Sequence, residues 1–323
     1  SRRHDVYRAA APALKRELRI LAGCVVHAAR FRCANGIVLA AHSWGRTREA
    51  WDPVPAPAAP GVDDFLSGRS GTVGGLRGRG RQVRDGLADL WTRPARTRAR
   101  RDAVTTAHAS ASRPPRVLVL GVERPGSLMP QALEELRRSE SAELTIAAGP
   151  GRPGAGKFEN LNEQLAPQDL DGFDWLLILD DDVRLPPAFL DVLLDQATRH
   201  ELKLAQPAHR LHSHAAWPVT RRDGAGTRRT TFVEIGPVTL FHRDTFAALL
   251  PFPAQLRMGW GLDAHWAALA REHGWALGVV DAVPIGHTVA PAGAGYSREQ
   301  ALAEARAFLA GRPYVTRDEV RAL

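Results

Sequence analysis

The sequence has 323 residues, of which 44% are apolar and 24% charged, a composition that excludes a chain disordered throughout. No apolar run is long enough to cross a bilayer. The two cysteines, Cys24 and Cys33, exclude a disulfide framework and a four-cysteine zinc site, and they favour a reducing, cytoplasmic location.

The net charge of +8 is unevenly distributed along the chain. Residues 1–115 carry a net charge of +12, whereas residues 116–323 carry a net charge of −4. Of the 43 basic residues 40 are arginine, which is typical of a GC-rich coding sequence. A nucleic-acid partner is therefore not expected, and a peripheral contact of the basic region with an anionic membrane stays open.

Residues 1–113 are predicted to be a basic, largely irregular region. Apolar spacing predicts a helix within residues 5–33. Prolines between residues 53 and 60, a Gly/Arg-rich stretch at 68–80 and an arginine block at 93–101 favour extended or solvated chain. We therefore expect this region to be partly helical and flexible.

Strands and helices alternate from residue 116 onwards. Apolar runs predict strands at 116–122, 142–148, 174–179 and 202–206, and helix-forming stretches predict helices at 130–138, 157–165 and 189–200. This order predicts an α/β, Rossmann-like fold with a mainly parallel sheet and helices on both faces. The predicted boundaries are an α/β domain at 114–290 and a helical tail at 291–323.

Three consecutive aspartates, Asp180, Asp181 and Asp182, follow the apolar strand DWLLIL. Ligand sites in open α/β sheets lie outside the carboxyl ends of strands. Adjacent carboxylates repel one another unless a cation or strong donors compensate their charge. The pattern therefore favours a site for Mg²⁺ or Mn²⁺ over the alternative, a solvated acidic turn.

Two enzyme classes with similar signals fit less well. The stretch GRPGAGK at 151–157 matches a phosphate-binding P-loop, but Phe158 stands where Ser or Thr would hold Mg²⁺. A phosphatase of the haloacid dehalogenase type would carry D-x-D-x-T/V, and here Arg184 stands at the last position. These departures argue against both classes.

Three further motifs surround the aspartates in a defined order: GKFENLN at 156–162, GWGLD at 259–263, and His287 after an apolar, strand-like segment. In this combination the sequence resembles glycosyltransferases of the GT-A fold, family-2-like enzymes in particular. It also resembles a plant and bacterial family assigned to that fold by similarity. The resemblance covers roughly residues 116–290 and implies a GT-A-like catalytic domain that moves a sugar from a nucleoside-diphosphate donor to a hydroxyl acceptor.

The resemblance implies a metal site within the donor site. Asp182 would bind the metal directly, and Asp180 would reach the ribose or, through water, the metal, with Asp181 as a supporting hydrogen-bond acceptor. His287 would be a third ligand, or a structural histidine. As a ligand it favours Mn²⁺ over Mg²⁺, because imidazole suits Mn²⁺ better.

Five other residues complete the predicted site. Lys157 and Asn162 would contact the nucleotide, and Trp260 would stack against an acceptor sugar or belong to the core. Asp263 precedes an apolar helix, so it would serve as the catalytic base or as the N-cap. Glu234, an acid within an apolar strand, would have an acceptor-site role or form a structural ion pair.

A basic segment with His209, His212, His214, Arg221 and Arg222 is predicted to be a mobile loop that closes over the diphosphate or is solvated. Taken together, the sequence favours a metal-dependent glycosyltransferase. Two alternatives stay open: a nucleic-acid-associated protein acting through residues 1–113, and a nucleotide-binding domain without turnover.

Overall fold

The computed structural model describes residues 52–53, 63–67, 69–70, 73–109, 113–224, 226–289 and 296–323. They belong to one compact unit, Glu49–Leu323. The helix predicted within residues 5–33 and most of the proline tract lie outside the described residues. Among the helices that are described, none is long and apolar enough to span a membrane.

The α-helices of the described chain are α1 Gly75–Ala109, α2 Met129–Arg137, α3 Lys157–Leu165, α4 Phe189–Arg199, α5 Phe246–Leu249, α6 Leu262–His273 and α7 Arg298–Leu309. Short 3-10 helices lie at Leu170–Gly172, Pro218–Thr220, Arg243–Thr245 and Arg317–Glu319. Helices α2, α3 and α4 confirm the three helices predicted between residues 130 and 200.

The strands are β1 Asp52–Pro53, β2 Arg69–Ser70, β3 Arg116–Leu120, β4 Val122–Glu123, β5 Glu143–Ile146, β6 Gly149–Pro150, β7 Trp175–Leu179, β8 Val183–Arg184, β9 Leu202–His209, β10 Thr227–Thr230, β11 Val238–His242 and β12 Ala276–His287. The central sheet has the order β10-β12-β9-β11-β7-β3-β5, and β8 pairs with the end of β12. Two-stranded pairs form from β1 with β2 and from β4 with β6.

The central sheet is mixed, but its strands share a prevailing direction. Strands β3, β5, β7, β9 and β12 run the same way, whereas β10 and β11 run against them. The predicted α/β class is confirmed, with β11 inserted antiparallel between β7 and β9. Because the five parallel strands end at one edge of the sheet, the segments that follow them meet there.

The core forms two layers, one on each face of the sheet. In β7, Leu176 and Ile178 belong to one layer, and Trp175, Leu177 and Leu179 belong to the other, as the two-residue period of a strand requires. Helices α3, α6 and α7 contribute to the first layer, and α1, α2 and α4 to the second. Helices on both faces were predicted, and they bury β7 completely.

Helix α1 occupies a stretch for which the sequence predicts irregular, solvated chain. Glycines and an internal Pro94 weaken a helix in isolation, so α1 depends on docking. It packs against α4 and β12, with Ala103 buried in the second core layer. Near the middle of the helix, Asp89 forms ion pairs with Arg210 and Arg222. Part of the basic N-terminal region is therefore structured against the α/β fold.

A short turn before α1 is also anchored in the core. The buried Asp63 carboxylate receives two hydrogen bonds of 2.7 Å from the Arg306 guanidinium of α7. Phe65 is buried in the first core layer, and Asp64 accepts a hydrogen bond from Tyr314 at 3.0 Å. The turn at 63–66 thus joins the N-terminal region to the C-terminal helices.

Candidate active site

A cavity of about 730 Å³ opens at the edge where the parallel strands end. Its walls come from the segments after β3 and β7, the start of α3, the chain before β11 and the motif GWGLD. It contains Asp180, Asp181, Asp182, Lys157, Glu234, Trp260, Asp263 and His287. Eight of the nine residues assigned to the predicted donor and acceptor site therefore surround one cavity, and Asn162 does not.

Asp182 and His287 meet inside this cavity although 105 residues separate them in the sequence. The antiparallel pair β8–β12 sets His287 opposite Val183, the residue after Asp182. The Nε2 atom of His287 lies 3.2 Å from Oδ2 of Asp182. Burial raises the pKa of Asp182, but the contact with His287, together with the charges of Arg124 and Lys157, brings this pKa below its ordinary value.

The other ring nitrogen of His287 fixes its tautomer. Nδ1 lies 3.0 Å from the backbone carbonyl oxygen of His214, which can only accept, so Nδ1 carries a proton. Burial would lower the pKa of His287, and the neighbouring Asp182 raises it above the ordinary value. The ring therefore donates to Asp182 from Nε2 when protonated, and presents the Nε2 lone pair when neutral.

This donor set fits a divalent cation. A histidine that ligates through Nε2 generally donates its other N–H to a carbonyl or carboxylate, which is the arrangement of His287 with His214. The described residues contain no group of three or more His, Cys, Asp or Glu side chains placed to hold a metal. A carboxylate and an imidazole thus converge here, and a cation held by them would take its other ligands from substrate or water.

Asp180 forms an ion pair with Lys157. Lys157 Nζ, at the first position of α3, lies 2.6 Å from Asp180 Oδ1 and 3.3 Å from the carbonyl oxygen of Ile235. A methyl group at Gly236 would lie 2.9 Å from both Asp180 Oδ2 and Lys157 Nζ. Glycine at position 236 therefore lets this ion pair lie close to the chain before β11, and a larger residue there would displace the ends of the two side chains.

Asp181 is buried and paired with Arg124, a residue that the sequence analysis did not single out. The Arg124 backbone N–H donates to Oδ2 of Asp181 at 2.8 Å, and its guanidinium donates to both carboxylate oxygens. Arg124 remains largely exposed and lies 3.9 Å from Asp182. In this pairing Asp181 accepts hydrogen bonds from Arg124, and the Arg124 guanidinium places a positive charge at the cavity. Arg124 and Asp181 follow the neighbouring parallel strands β3 and β7, and this adjacency of strand ends is what could have indicated their contact.

Asp263 faces the cavity from the first turn of α6. Gly261, in the left-handed region at φ 86°, is the N-cap, so Asp263 does not occupy the N-cap position. Oδ1 of Asp263 accepts from the Ala264 N–H at 2.9 Å. Burial, with a further contribution from the charge of Glu234, raises the pKa of Asp263 to about 7. A carboxyl group with this pKa changes protonation state near neutrality.

Glu234 lies between Asp263 and a fully buried histidine. Its Oε1 accepts from Thr220 Oγ1 at 2.7 Å and from the Trp217 N–H at 3.2 Å. Its Oε2 lies 3.5 Å from Nε2 of His209, within ion-pair range but outside hydrogen-bond geometry. Burial lowers the pKa of His209, which keeps the ring neutral. Two hydrogen bonds therefore fix Oε1 of Glu234, and the residue lines the cavity.

Trp260 contacts residues that the sequence analysis did not single out. Its Nε1 donates to the Tyr296 hydroxyl at 2.6 Å, and the Arg298 guanidinium lies 5.2 Å from its ring centroid. Burial raises the pKa of Tyr296 to about 12, so this hydroxyl stays protonated. One face of Trp260 is thus covered by Arg298, at the start of α7. The segment predicted as a helical tail contributes to the cavity.

Asn162 does not reach the cavity. Its side-chain amide donates to the carbonyl of Phe252 at 2.8 Å and accepts the Phe252 N–H at 2.9 Å. The donor and the acceptor group of the amide therefore both bind the backbone of the segment between α5 and α6. Asn160, on the cavity-facing side of α3, instead donates to Gly156 and accepts from Arg152.

The basic segment predicted to be mobile is fixed to α1. The buried Asp85 carboxylate accepts the backbone N–H groups of Leu211 and His212 at 3.0 and 2.7 Å. Arg221 donates to the carbonyl groups of residues 210, 211 and 213. These hydrogen bonds hold the backbone of residues 210–213 in place. The segment that follows lines the cavity, and the His214 carbonyl contacts His287.

No family model and no curated protein matches this chain. Among solved structures, GalNAc-T7 with UDP, GalNAc and Mn²⁺ gives a TM-score of 0.42 at 11% identity, over 62% of this chain and 48% of its own. TarS residues 1–349 from S. aureus give 0.39 at 11% identity, over 54% and 60%. The mannosyltransferase PcManGT from Pyrobaculum calidifontis, with GDP-Man and Mn²⁺, gives 0.39 at 15% identity, over 65% and 70%. The match thus spans about half of the GalNAc-T7 chain.

Proposed function

We propose that this protein is a metal-dependent glycosyltransferase with a GT-A-like site, which moves a sugar from a nucleoside diphosphate to a hydroxyl acceptor. One observation carries the proposal. Asp182 and His287, far apart in sequence, meet at 3.2 Å in a cavity that also contains Lys157 and Asp263. Together they provide ligands for a cation, a counter-charge for phosphate and a carboxylate able to accept a proton near neutral pH.

On the donor side, Asp182 and His287 would hold Mn²⁺ or Mg²⁺. Such a metal, when bound, supplies charge neutralisation to the departing diphosphate. Lys157 would orient the diphosphate by exchanging its contact with Asp180 for a phosphate oxygen. Arg124, fixed through Asp181, would add a second cation.

On the acceptor side, Asp263 would accept the proton of the attacking hydroxyl. Its pKa of about 7 leaves it partly ionised at neutral pH and basic enough to take that proton. Glu234 would support this role by keeping the pKa of Asp263 raised. A base in this position corresponds to an inverting displacement, and Trp260 would border the acceptor.

Thermal unfolding of the full chain with UDP or GDP, with and without Mn²⁺, tests the donor site. We expect a stabilisation of several degrees that needs both one nucleotide and the metal, because a ligand at about 100 times its Kd adds about 2.7 kcal/mol. Asp182→Ala should lose this shift, whereas Glu134→Ala, at an exposed carboxylate of α2, should keep it. If neither nucleotide raises the Tm of the parent protein, the proposed donor site is wrong.

Transfer itself is tested with the Asp263→Asn variant. We expect the variant to keep the nucleotide- and metal-dependent stabilisation and to lose at least a hundredfold in sugar transfer, measured as release of nucleoside diphosphate with a panel of acceptors. Stabilisation of the parent without any release over the full panel would favour the nucleotide-binding domain without turnover. Full activity of the variant would exclude Asp263 as the base.

A further inference from the structure

The outward face of α1 has an unusual concentration of apolar side chains. Seven large apolar side chains are exposed in the described part of the chain, and five of them belong to α1. They are Leu76, Val83, Leu87, Leu90 and Trp91. At 100° per residue they form one stripe about 100° wide. Leu90, with 69% of its surface exposed, and Trp91, with 76%, lie at its two edges.

The opposite face of the same helix is fixed to the protein. Asp85 binds the backbone of residues 211 and 212, Asp89 pairs with Arg210 and Arg222, and Ala103 is buried in the core. Rotation of α1 to hide its apolar stripe would break these contacts. The stripe therefore faces away from the domain as a consequence of how the helix is docked.

The charges on the outward face are positive. Arg98 and Arg101 continue the stripe beyond Trp91, and Arg79 borders it, all three exposed. The acidic residues of α1 lie elsewhere or have partners: Asp85 and Asp89 point into the domain, and Asp102 is half-buried and interacts with Arg199. The outward face thus combines leucine, valine and tryptophan with arginine.

From this combination we infer that the outward face of α1 docks the protein on an anionic lipid surface. Leucine and tryptophan side chains insert at the boundary of headgroups and acyl chains, and arginines attract anionic headgroups. A second copy of the chain would bring like charges together across a symmetric interface. Nucleic acid would satisfy the arginines and leave the apolar side chains in water. The inference is independent of the proposed transferase activity.

Co-sedimentation of the full chain with vesicles tests the inference. One set consists of phosphatidylcholine, and the other of equal parts phosphatidylcholine and phosphatidylglycerol. We expect binding to the anionic vesicles to be at least tenfold stronger and to weaken as salt is added. Absence of binding to the anionic vesicles, or equal binding to both sets, overturns the inference.

Variants locate the contact on α1. The double variant Leu90→Gln/Trp91→Gln should lose at least tenfold in vesicle binding, because each side chain buries apolar surface in the lipid. Arg98→Gln/Arg101→Gln should lose the preference for anionic vesicles. Leu323→Gln, at a residue 76% exposed outside α1, is the matched control and should bind as the parent does.

Two further outcomes would contradict the inference. A concentration-dependent dimer that disappears in Leu90→Gln/Trp91→Gln, without vesicle binding by the parent, would assign the face to a second copy. Salt-dependent RNA binding that this double variant leaves unchanged, again without vesicle binding, would assign the arginines to nucleic acid. Circular dichroism of each variant confirms that the helix is retained.

Discussion

Asp263 occupies the second position of α6 and shares its cavity with the carboxylate of Glu234. Its pKa of about 7 in the folded protein exceeds the value of about 3.9 for an unfolded aspartate, so folding is coupled to proton uptake at this residue. The stability that Asp263 contributes is fully present below about pH 4 and is lost as the pH rises through 7.

The variant Asp263→Asn is therefore expected to gain stability relative to the parent as the pH rises. Between pH 4 and pH 8 the difference in free energy of unfolding should shift in favour of the variant by about 2–4 kcal/mol, measured by urea unfolding. Asp174→Asn is the control of opposite sign. Burial raises the pKa of Asp174, but hydrogen bonds from Arg116 and Arg113 outweigh it and lower this pKa. If the difference in free energy of unfolding between Asp263→Asn and the parent stayed constant from pH 4 to pH 8, the raised pKa of Asp263 would be contradicted.

Residue patterns predicted most of the cavity because its parts follow strand ends and glycine-containing turns. Asp182 and His287 could be paired from the sequence only by resemblance, since the β8–β12 pairing that joins them is two residues long. Asn162 was misplaced because α3 turns it towards Phe252, and one residue type at helical spacing does not reveal which face it occupies. Arg124 was missed because its partner, Asp181, comes 57 residues later.

At the scale of the element, α1 shows why composition misled the sequence analysis. An arginine- and glycine-rich stretch without an apolar core face is typical of solvated chain. Its stability comes from packing against α4 and β12 and from two aspartates, Asp85 and Asp89, which lie four residues apart and contact residues 210–222. The large exposed apolar residues of α1 lie on the opposite face, and the buried face carries small residues such as Ala103, so the apolar periodicity did not predict burial.

Removing the Asp85 carboxylate should release the loop at 210–214. In Asp85→Ala the N–H groups of Leu211 and His212 lose their acceptors, at a cost of about 1–3 kcal/mol for each group left buried. We expect lower stability and faster hydrogen exchange at these two amides, measured by NMR or mass spectrometry. Asp102→Ala, on the same helix, should leave both amides protected. Unchanged exchange in Asp85→Ala would mean that α1 does not hold the loop.

At the scale of the whole molecule, residues 63–109 of the basic N-terminal region and the α/β domain are not independent. Phe65 is a core residue and, with Leu66 and Ser67, borders the cavity. Asp63 pairs with Arg306 on α7. The predicted boundary at residue 113 therefore separates groups that pack together, and net charge along the sequence could not reveal this.

A chain that begins at residue 114 is accordingly expected to be strongly destabilised. It loses the buried Phe65 and Ala103 side chains and leaves Arg210, Arg222 and Arg306 without their carboxylates. We expect a lower Tm by at least several degrees, measured by calorimetry. A chain that begins at Asp63 keeps these contacts and is the control. Equal Tm values for the two truncated chains would contradict this account.

The bond between Asp63 and Arg306 spans 243 residues of sequence. During synthesis the turn at residue 63 leaves the ribosome long before its partner on α7 has been translated. Asp89 of α1 likewise precedes its partner Arg210 by 121 residues. The contact between the N-terminal turn and α7 can therefore form only after translation has passed residue 306.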